Sequence, residues 1–237
     1  MIYRLTIEFT LDKRQKLDYN IGSVLQGIMM TFLDRDYGDV LHRQSLRPYS
    51  QYFEIKNNKY YWVINTLTEE AKSGIIDKIL VSDRRILDLT YRKTKLIIQK
   101  MELCEAVILD DIGKRDIVVN FKTPTSIKRT SGGYEIFPTV KHIFNSIINK
   151  YKNFSKNDLE ENFLEKIVEN VEITGYNLRT SHFGVKGNYV PGFMGTVNLK
   201  VKGSQGFKNE VMKLLQFAMY SGVGLKGTMG MGAFEIK

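Results

Sequence analysis

The spacing of apolar residues predicts a strand and then a helix at the start of the chain. Between Tyr3 and Phe9 apolar and polar side chains alternate, which is the period of a half-buried strand. From Val24 to Leu33 the apolar residues recur instead at steps of three and four, which indicates a helix with Ser23 as its N-cap.

A hairpin and a second helix follow. Residues 51–56 and 59–66 are strand-like, and Asn57-Asn58 between them tolerates positive φ, as a hairpin turn requires. Thr68 and the two glutamates after it predict the start of a helix. Residues 86–109 return to an extended, β-branched composition. The order is therefore strand, helix, strand, strand, helix, strand.

The second half of the chain shows another such cycle. Its predicted elements are a strand over 117–121, a helix over 140–151 that begins just after Thr139, a short helix over 158–168, strands over 171–179 and 193–202 with a glycine-rich, basic stretch between them, a helix over 211–219 and a closing strand over 233–236.

This order predicts an α+β protein with two tandem ferredoxin-like (RRM-like, βαββαβ) domains, in which an antiparallel sheet carries two helices on one face. We predict the first domain over residues 1–109 and the second over 116–237, with residues 110–115 as a polar linker.

The glycines concentrate near the end of the chain, most densely over residues 222–232. Without a Cβ, Gly222 and Gly224 let successive amides turn toward an anion, and Lys226 adds a positive charge. The run follows a helix and lacks the G-x-x-x-x-G-K-[ST] pattern, which excludes a Walker P-loop. A flexible connector is the alternative interpretation.

Charge and composition narrow the function. The 237 residues include 35 Lys+Arg and 26 Asp+Glu, a net charge of +9 that favours an anionic partner, nucleic acid first; a slightly basic surface is the alternative. Cys104 is the single cysteine and no C-x-x-C occurs, so neither a disulfide nor a zinc site is predicted. We expect a cytoplasmic protein, because no apolar stretch suits a membrane helix or signal peptide.

The glycine run and the apolar strand after it resemble the glycine-rich loop of the RAMP superfamily of CRISPR-associated proteins. Together with three further segments, they resemble the CRISPR repeat-specific endoribonuclease that cuts precursor crRNA. Those segments are Tyr19-Asn20 with Leu25-Gln26-Gly27, Leu41-His42, and Phe121-x-Thr-Pro124-x-Ser126 with Phe137-Pro138. Leu41-His42 is the element that distinguishes the nuclease from non-catalytic RAMP subunits.

The resemblance implies two ferredoxin-like domains, RNA bound across one face, and cleavage without metal or cofactor that leaves a 2′,3′-cyclic phosphate and a 5′-hydroxyl. It also implies a catalytic histidine, a tyrosine on the first helix and a basic residue soon after the histidine. Here His42 is the histidine and Met30 stands where the tyrosine would be. The nearby candidates are Arg43, Arg47, Tyr37 and Tyr49.

These residue types suit RNA transesterification. Imidazole exchanges a proton near neutral pH, so His42 can serve as general acid or base, although a helix-end histidine without a catalytic role is the alternative. Arg43 or Arg47 would stabilise the phosphorane charge but cannot act as a base. Tyr37 and Tyr49 are candidates for the second proton carrier, or else packing residues.

Other histidines and carboxylates are weaker candidates. His142 lies on an amphipathic helix, and we expect His182 in a basic loop, where it could contact RNA. The cluster Asp34, Asp36 and Asp39 suits a solvated helix end better than a Mg²⁺ site.

The expected partner is CRISPR repeat RNA or precursor crRNA, and a CRISPR effector complex and a second copy of the chain are further candidate partners. The alternative function is a non-catalytic RAMP subunit that binds crRNA. The candidate RNA-binding residues are Lys128, Arg129, Lys186, Gly222, Gly224, Lys226, Gly227 and Thr228.

Overall fold

The computed structural model describes residues 1–89, 93–109, 116–129, 131–185 and 187–237. Contacts between residues divide it into two units. The first comprises Met1–Ala106 with Thr228–Gly230, and the second comprises Val107–Gly227 with Met231–Lys237. The predicted linker at 110–115 lies outside the described residues, so the predicted domain boundary stays a prediction.

The first unit is an antiparallel sheet with the strand order β2-β3-β1-β5-β4. This is the ferredoxin-like order with one additional edge strand, β4. Its elements are β1 Tyr3–Leu11, α1 Gly22–Met30, α2 Arg35–Arg43, β2 Tyr49–Lys56, β3 Lys59–Thr66, α3 Glu69–Ala71, a π-helical segment Lys72–Asp77, α4 Lys78–Val81, β4 Ile86–Leu89 and β5 Thr94–Glu105.

Local sequence signals account for most of these elements. Asn57 and Asn58 have φ of 50° and 58°, so the predicted hairpin turn is confirmed. The Thr68 hydroxyl accepts a hydrogen bond from the Ala71 amide and caps α3 as predicted. Leu5 and Ile7 alternate inward along β1 and are fully buried in the core of this unit.

Two predictions about the first helix are wrong. Ser23 is not its cap, because the Asp18 carboxylate accepts from the Asn20 amide and starts a 3-10 turn that runs into α1. The helical segment also stops at Met30, and α2 begins at Arg35. Helix α2 left no periodic signal, because its buried residues are only Gly38 and Leu41.

The second unit has the strand order β11-β6-β10-β9, again the ferredoxin-like arrangement and again antiparallel throughout. The predicted fold class is therefore confirmed. Its elements are β6 Asp116–Thr125, β7 Ile127–Lys128, β8 Tyr134–Glu135, α5 Val140–Phe154, α6 Phe163–Asn170, β9 Val171–Val185, β10 Asn188–Val201, α7 Gln205–Ser221 and β11 Phe234–Ile236.

The structure differs most from the prediction between the predicted strands 171–179 and 193–202. Strands β9 and β10 extend toward each other and pair as one long hairpin, in which His182 lies opposite Pro191. The expectation of a basic loop at His182 is therefore wrong. Strand β9 lies at the edge of the sheet and has many exposed positions. Its polar residues therefore interrupt the apolar pattern from which a strand is predicted.

The predicted start of α5 is confirmed, since the Thr139 hydroxyl accepts from the His142 amide. Helix α6 begins at Phe163, five residues later than predicted. None of the helices described here is long and apolar enough to cross a membrane.

Candidate functional site

His42 lies in the last turn of α2. Its side chain and that of Arg43 are exposed. A helix C-terminus carries partial negative charge, so the Arg43 guanidinium is stabilised at this end. The helix-end position that the sequence left as an alternative is confirmed, and its exposure leaves His42 free to meet a ligand.

Arg47 is hydrogen-bonded to the same end of α2. Its Nε donates to the Leu41 carbonyl oxygen at 2.8 Å, in a half-buried position. That carbonyl belongs to the peptide that precedes His42. Helix α2 therefore brings together three of the predicted residues: His42, Arg43 and Arg47.

Tyr49 is buried, with 3% of its surface exposed. Its hydroxyl accepts from Gln26 Nε2 at 3.2 Å and is also hydrogen-bonded to the Thr228 side chain. Burial raises the pKa of Tyr49, while these bonds and the Arg47 charge oppose that shift. A phenol buried and bonded in this way is placed to hold the structure.

Tyr37 is also unsuited to proton exchange with a ligand. Its hydroxyl is buried and has no hydrogen-bond partner among the described residues. Burial raises the pKa of Tyr37 to about 12. Its ring lies so close to Gly74 that a Cβ there would come within 2.3 Å of it. The packing role that the sequence left open for Tyr37 and Tyr49 is the one their positions favour.

The segment Thr228–Gly230 of the glycine run belongs to the first unit and packs on the start of α1. A Cβ on Gly22 would lie 2.2 Å from the Met229 carbonyl oxygen, so the backbones meet where only glycine fits. The buried Gln51 side chain bridges the two segments, donating from Nε2 to the carbonyls of Gly22 and Thr228.

The start of the run is held inside the second unit. The amide of Gly222 donates to Ala218, that of Val223 to Gly232, and that of Gly224 to the Ser146 hydroxyl. The expectation that the Gly222 and Gly224 amides face an anion is therefore wrong. Glycine is favoured at these two positions by the backbone conformation instead, since their φ values of 68° and 77° are in the left-handed region.

Lys150 of α5 is hydrogen-bonded to the start of the glycine run. Its Nζ donates to the carbonyls of Ser221 and Gly222 at 3.0 and 2.9 Å, which are acceptors at the end of α7. Burial lowers the pKa of Lys150 to about 8. A lysine that looks like an ordinary basic residue in the sequence is thus an anchor of the glycine run.

The remaining predicted RNA-binding residues differ in availability. Lys128 on β7 is exposed, and Lys226 and Gly227 are half-buried. Arg129 is exposed, but its guanidinium makes two hydrogen bonds to the Glu135 carboxylate. The prediction for Lys186 lies outside the described residues.

The other candidates are accounted for locally. His142 Nδ1 is buried. Asp34 forms an ion pair with Lys78 at 2.7 Å. Across the described ranges, no group of three His, Cys, Asp or Glu side chains is placed to hold a metal ion. Sequence reasoning missed Gln51 and Lys150, because a buried polar residue inside an otherwise ordinary strand or helix leaves no pattern.

Comparison with known proteins gives a consistent result. Residues 119–234 match the family described as CRISPR-associated endoribonuclease Cas6. A Cas6 of Streptococcus thermophilus is 30% identical over 97% of this chain and 96% of the relative. A Cas6 of Mycobacterium tuberculosis is 28% identical over 98% of this chain and 77% of the relative. The structure of a Cas6 product complex superposes over all of both chains with a TM-score of 0.85 at 18% identity.

Proposed function

The chain belongs to the family of CRISPR-associated endoribonucleases Cas6, and from this premise we propose that it cuts CRISPR repeat RNA within precursor crRNA. In the proposed reaction a ribose 2′-oxygen attacks the adjacent phosphorus. The new O2′–P bond forms as the P–O5′ bond breaks, which leaves a 2′,3′-cyclic phosphate and a 5′-hydroxyl. No metal ion takes part.

The observation that carries this proposal is the exposed His42 at the end of α2, with Arg43 beside it and Arg47 on the preceding carbonyl. The reaction needs one proton removed from the 2′-hydroxyl and one delivered to the 5′-oxygen. His42 performs one of these transfers, a contribution of ~10²–10⁴-fold for general acid–base catalysis. The Arg43 guanidinium stabilises the charge on the phosphorane.

The second proton transfer falls to solvent water in this proposal, because the Tyr37 and Tyr49 hydroxyls are buried. A reaction run by one positioned histidine is slow. Slow turnover is compatible with an enzyme that keeps its product and passes it to a CRISPR effector complex.

RNA backbone contacts come from exposed and half-exposed cations of the second unit. Lys128 and Lys226 are the described members of this set, and Lys186 remains a predicted member. Gly227 borders Lys226 and would let the RNA backbone approach closely, whereas the predicted contact Thr228 is buried, with 8% of its surface exposed.

Two substrates test the mechanism. The first is repeat RNA, and the second is the same RNA with a 2′-deoxyribose at the cut site. We expect both to bind, and only the first to be cut. The downstream product should be 5′-labelled by kinase directly, and the upstream product should be 3′-extended only after its cyclic phosphate is removed. Cleavage of the deoxy substrate, or a 5′-phosphate on the product, would exclude attack by the 2′-hydroxyl.

The non-catalytic alternative and the oligomeric state have separate tests. A RAMP subunit that only binds crRNA would retain repeat RNA uncut during long incubation at stoichiometric protein. The molar mass of the protein in solution, by light scattering with and without RNA, tests the predicted second copy.

A further inference from the structure

A buried amide in β2 lies where the glycine run meets the first helix. Gln51 is 1% exposed, among buried neighbours on the core side of the sheet of the first unit. Its Nε2 donates at 2.8 Å to the Gly22 carbonyl, at the start of α1, and at 3.1 Å to the Thr228 carbonyl. Both amide hydrogens are therefore used, one on each of two segments far apart in sequence.

The orientation of this amide is set from the other side. The Trp62 indole Nε1 donates to Gln51 Oε1 at 2.8 Å, and Trp62 is fully buried. An indole nitrogen is only a donor, so a flipped amide would place two donors face to face. Trp62 thus directs both amide hydrogens of Gln51 toward the two carbonyls.

The side chain of Thr228 is held as well as its backbone. It is hydrogen-bonded to the Tyr49 hydroxyl, which also accepts from Gln26. Residue 22 must be glycine for the contact to form. The segment Thr228–Gly230 is therefore held at three points, and Gln51 is the side chain that hydrogen-bonds to both the segment and α1.

We propose that Gln51 is a positioning residue for RNA binding, which fixes the glycine-run segment Thr228–Gly230 on the first unit so that the adjoining Lys226 and Gly227 are held in place for the RNA backbone. This inference rests on the proposed function, because it assigns Gln51 to the RNA site of that function. Gln51 itself touches no RNA. Losing it should weaken the affinity for RNA much more than it slows the cutting of bound RNA.

The test compares three variants of the full chain, with affinity for 2′-deoxy repeat RNA measured by fluorescence anisotropy at pH 8 and pH 5.5. Gln51→Met keeps the length of the side chain and removes both donors at every pH. Gln51→Glu keeps the shape, and its carboxylate has no hydrogen to donate until it is protonated, which burial and the two facing carbonyls favour at the lower pH. Tyr49, the titratable group held by the same segment, has a raised pKa and does not change charge in this range.

Asn65→Asp is the matched control. Asn65 is also a 1% exposed amide of the first unit, bonded to Arg4 and Ser50 and not to the glycine run. It therefore reports what a buried amide-to-acid change does to folding and binding in general. Circular dichroism melting checks that each variant is folded at both pH values.

We expect Gln51→Met to weaken RNA binding about tenfold at both pH values, the loss of one to two hydrogen bonds. Relative to wild type at the same pH, Gln51→Glu should be about tenfold weaker at pH 8 and recover to within about threefold at pH 5.5, when one donor returns. Asn65→Asp should bind like wild type, and single-turnover cleavage at saturating protein should change less than about threefold in all three.

Wild-type affinity in a folded Gln51→Met variant would overturn the inference, as would the same pH-dependent loss in Asn65→Asp. Failure of the proposed function is distinguishable, because wild type would then leave the all-ribose repeat RNA uncut.

Discussion

The two units share one strand order but differ in what each adds to it. The first inserts α2 after α1, and this short helix carries His42 and Arg43 at its exposed end. The second inserts the β7–β8 hairpin with Lys128 and supplies most of the glycine run. In the proposed function, the same strand order therefore presents the reactive histidine in the first unit and RNA contacts in the second. Changes at the exposed end of α2 should then affect the cleavage rate, and changes at the exposed cations of the second unit should affect the affinity for RNA.

The largest effect is expected at His42. His42→Ala should slow single-turnover cleavage of repeat RNA by ~10²–10⁴-fold, because a general acid–base group is lost, while affinity for the 2′-deoxy RNA stays unchanged. His182→Ala is the matched control, an exposed histidine on β9 of the second unit. An equal loss of rate in both variants would contradict the assignment of cleavage to the first unit.

The next effect is on stability, where the glycine run meets α1. Gly22→Ala should lower the free energy of unfolding by about 1–3 kcal/mol, because the new Cβ would lie 2.2 Å from a backbone oxygen that cannot move freely. Gly27→Ala is the control in the same helix, with nothing within 4 Å of its Cβ, and should raise stability by up to about 1 kcal/mol through helix propensity. Urea unfolding measures both. Equal stabilities would show that the run is not docked there.

At the other end of the run, Lys150 predicts a dependence on pH. Its pKa is lowered from an ordinary 10.5 to about 8, so between these values the unfolded chain binds more protons than the folded one. The wild type should therefore gain stability relative to Lys150→Met, by about 1 kcal/mol per pH unit as pH rises from 8 toward 10. Urea unfolding at pH 7 and pH 9.5 tests it, with the exposed Lys152→Met of the same helix as control. A constant difference across this range would contradict burial of the Lys150 ammonium.

The smallest effect is expected on the β7–β8 hairpin. Lys128→Ala should weaken RNA affinity about two- to threefold and lower the slope of log affinity against log salt by about one, as for a single phosphate contact. Arg129→Ala should do less, because the guanidinium is already paired with Glu135. Anisotropy titrations at several salt concentrations separate the two. A slower cleavage of saturated RNA by Lys128→Ala would contradict the proposal that this residue contributes to affinity alone.

The fold was predictable where the sequence is periodic or carries a cap. The alternation in β1, the asparagine turn before β3 and the Thr139 cap all led to the observed elements. Helix α2 and the stretch that joins the two predicted strands into the β9–β10 hairpin were missed, because α2 buries only two residues and β9 has many exposed positions. Hydrophobic periodicity carries no signal in such elements.

The site was predictable only in part. The Leu41-His42 pair and the glycine run identified the family, and the hydrogen bond to the Leu41 carbonyl explains why Arg47 lies at the end of α2. Whether a tyrosine hydroxyl is exposed, or a glycine amide is already bonded, depends on tertiary contacts that a linear pattern does not encode. Gln51 and Lys150 are anchors for the same reason: their partners are backbone carbonyls brought close by folding.

The central claim is that this chain cuts repeat RNA without metal and through His42. One gel tests it most directly: labelled repeat RNA incubated in EDTA with stoichiometric wild type or His42→Ala. The account predicts one cut per repeat by wild type and almost none by the variant, with both proteins holding the RNA. Uncut RNA in the wild-type lane, cleavage only after Mg²⁺ is restored, or a fully active His42→Ala would contradict it.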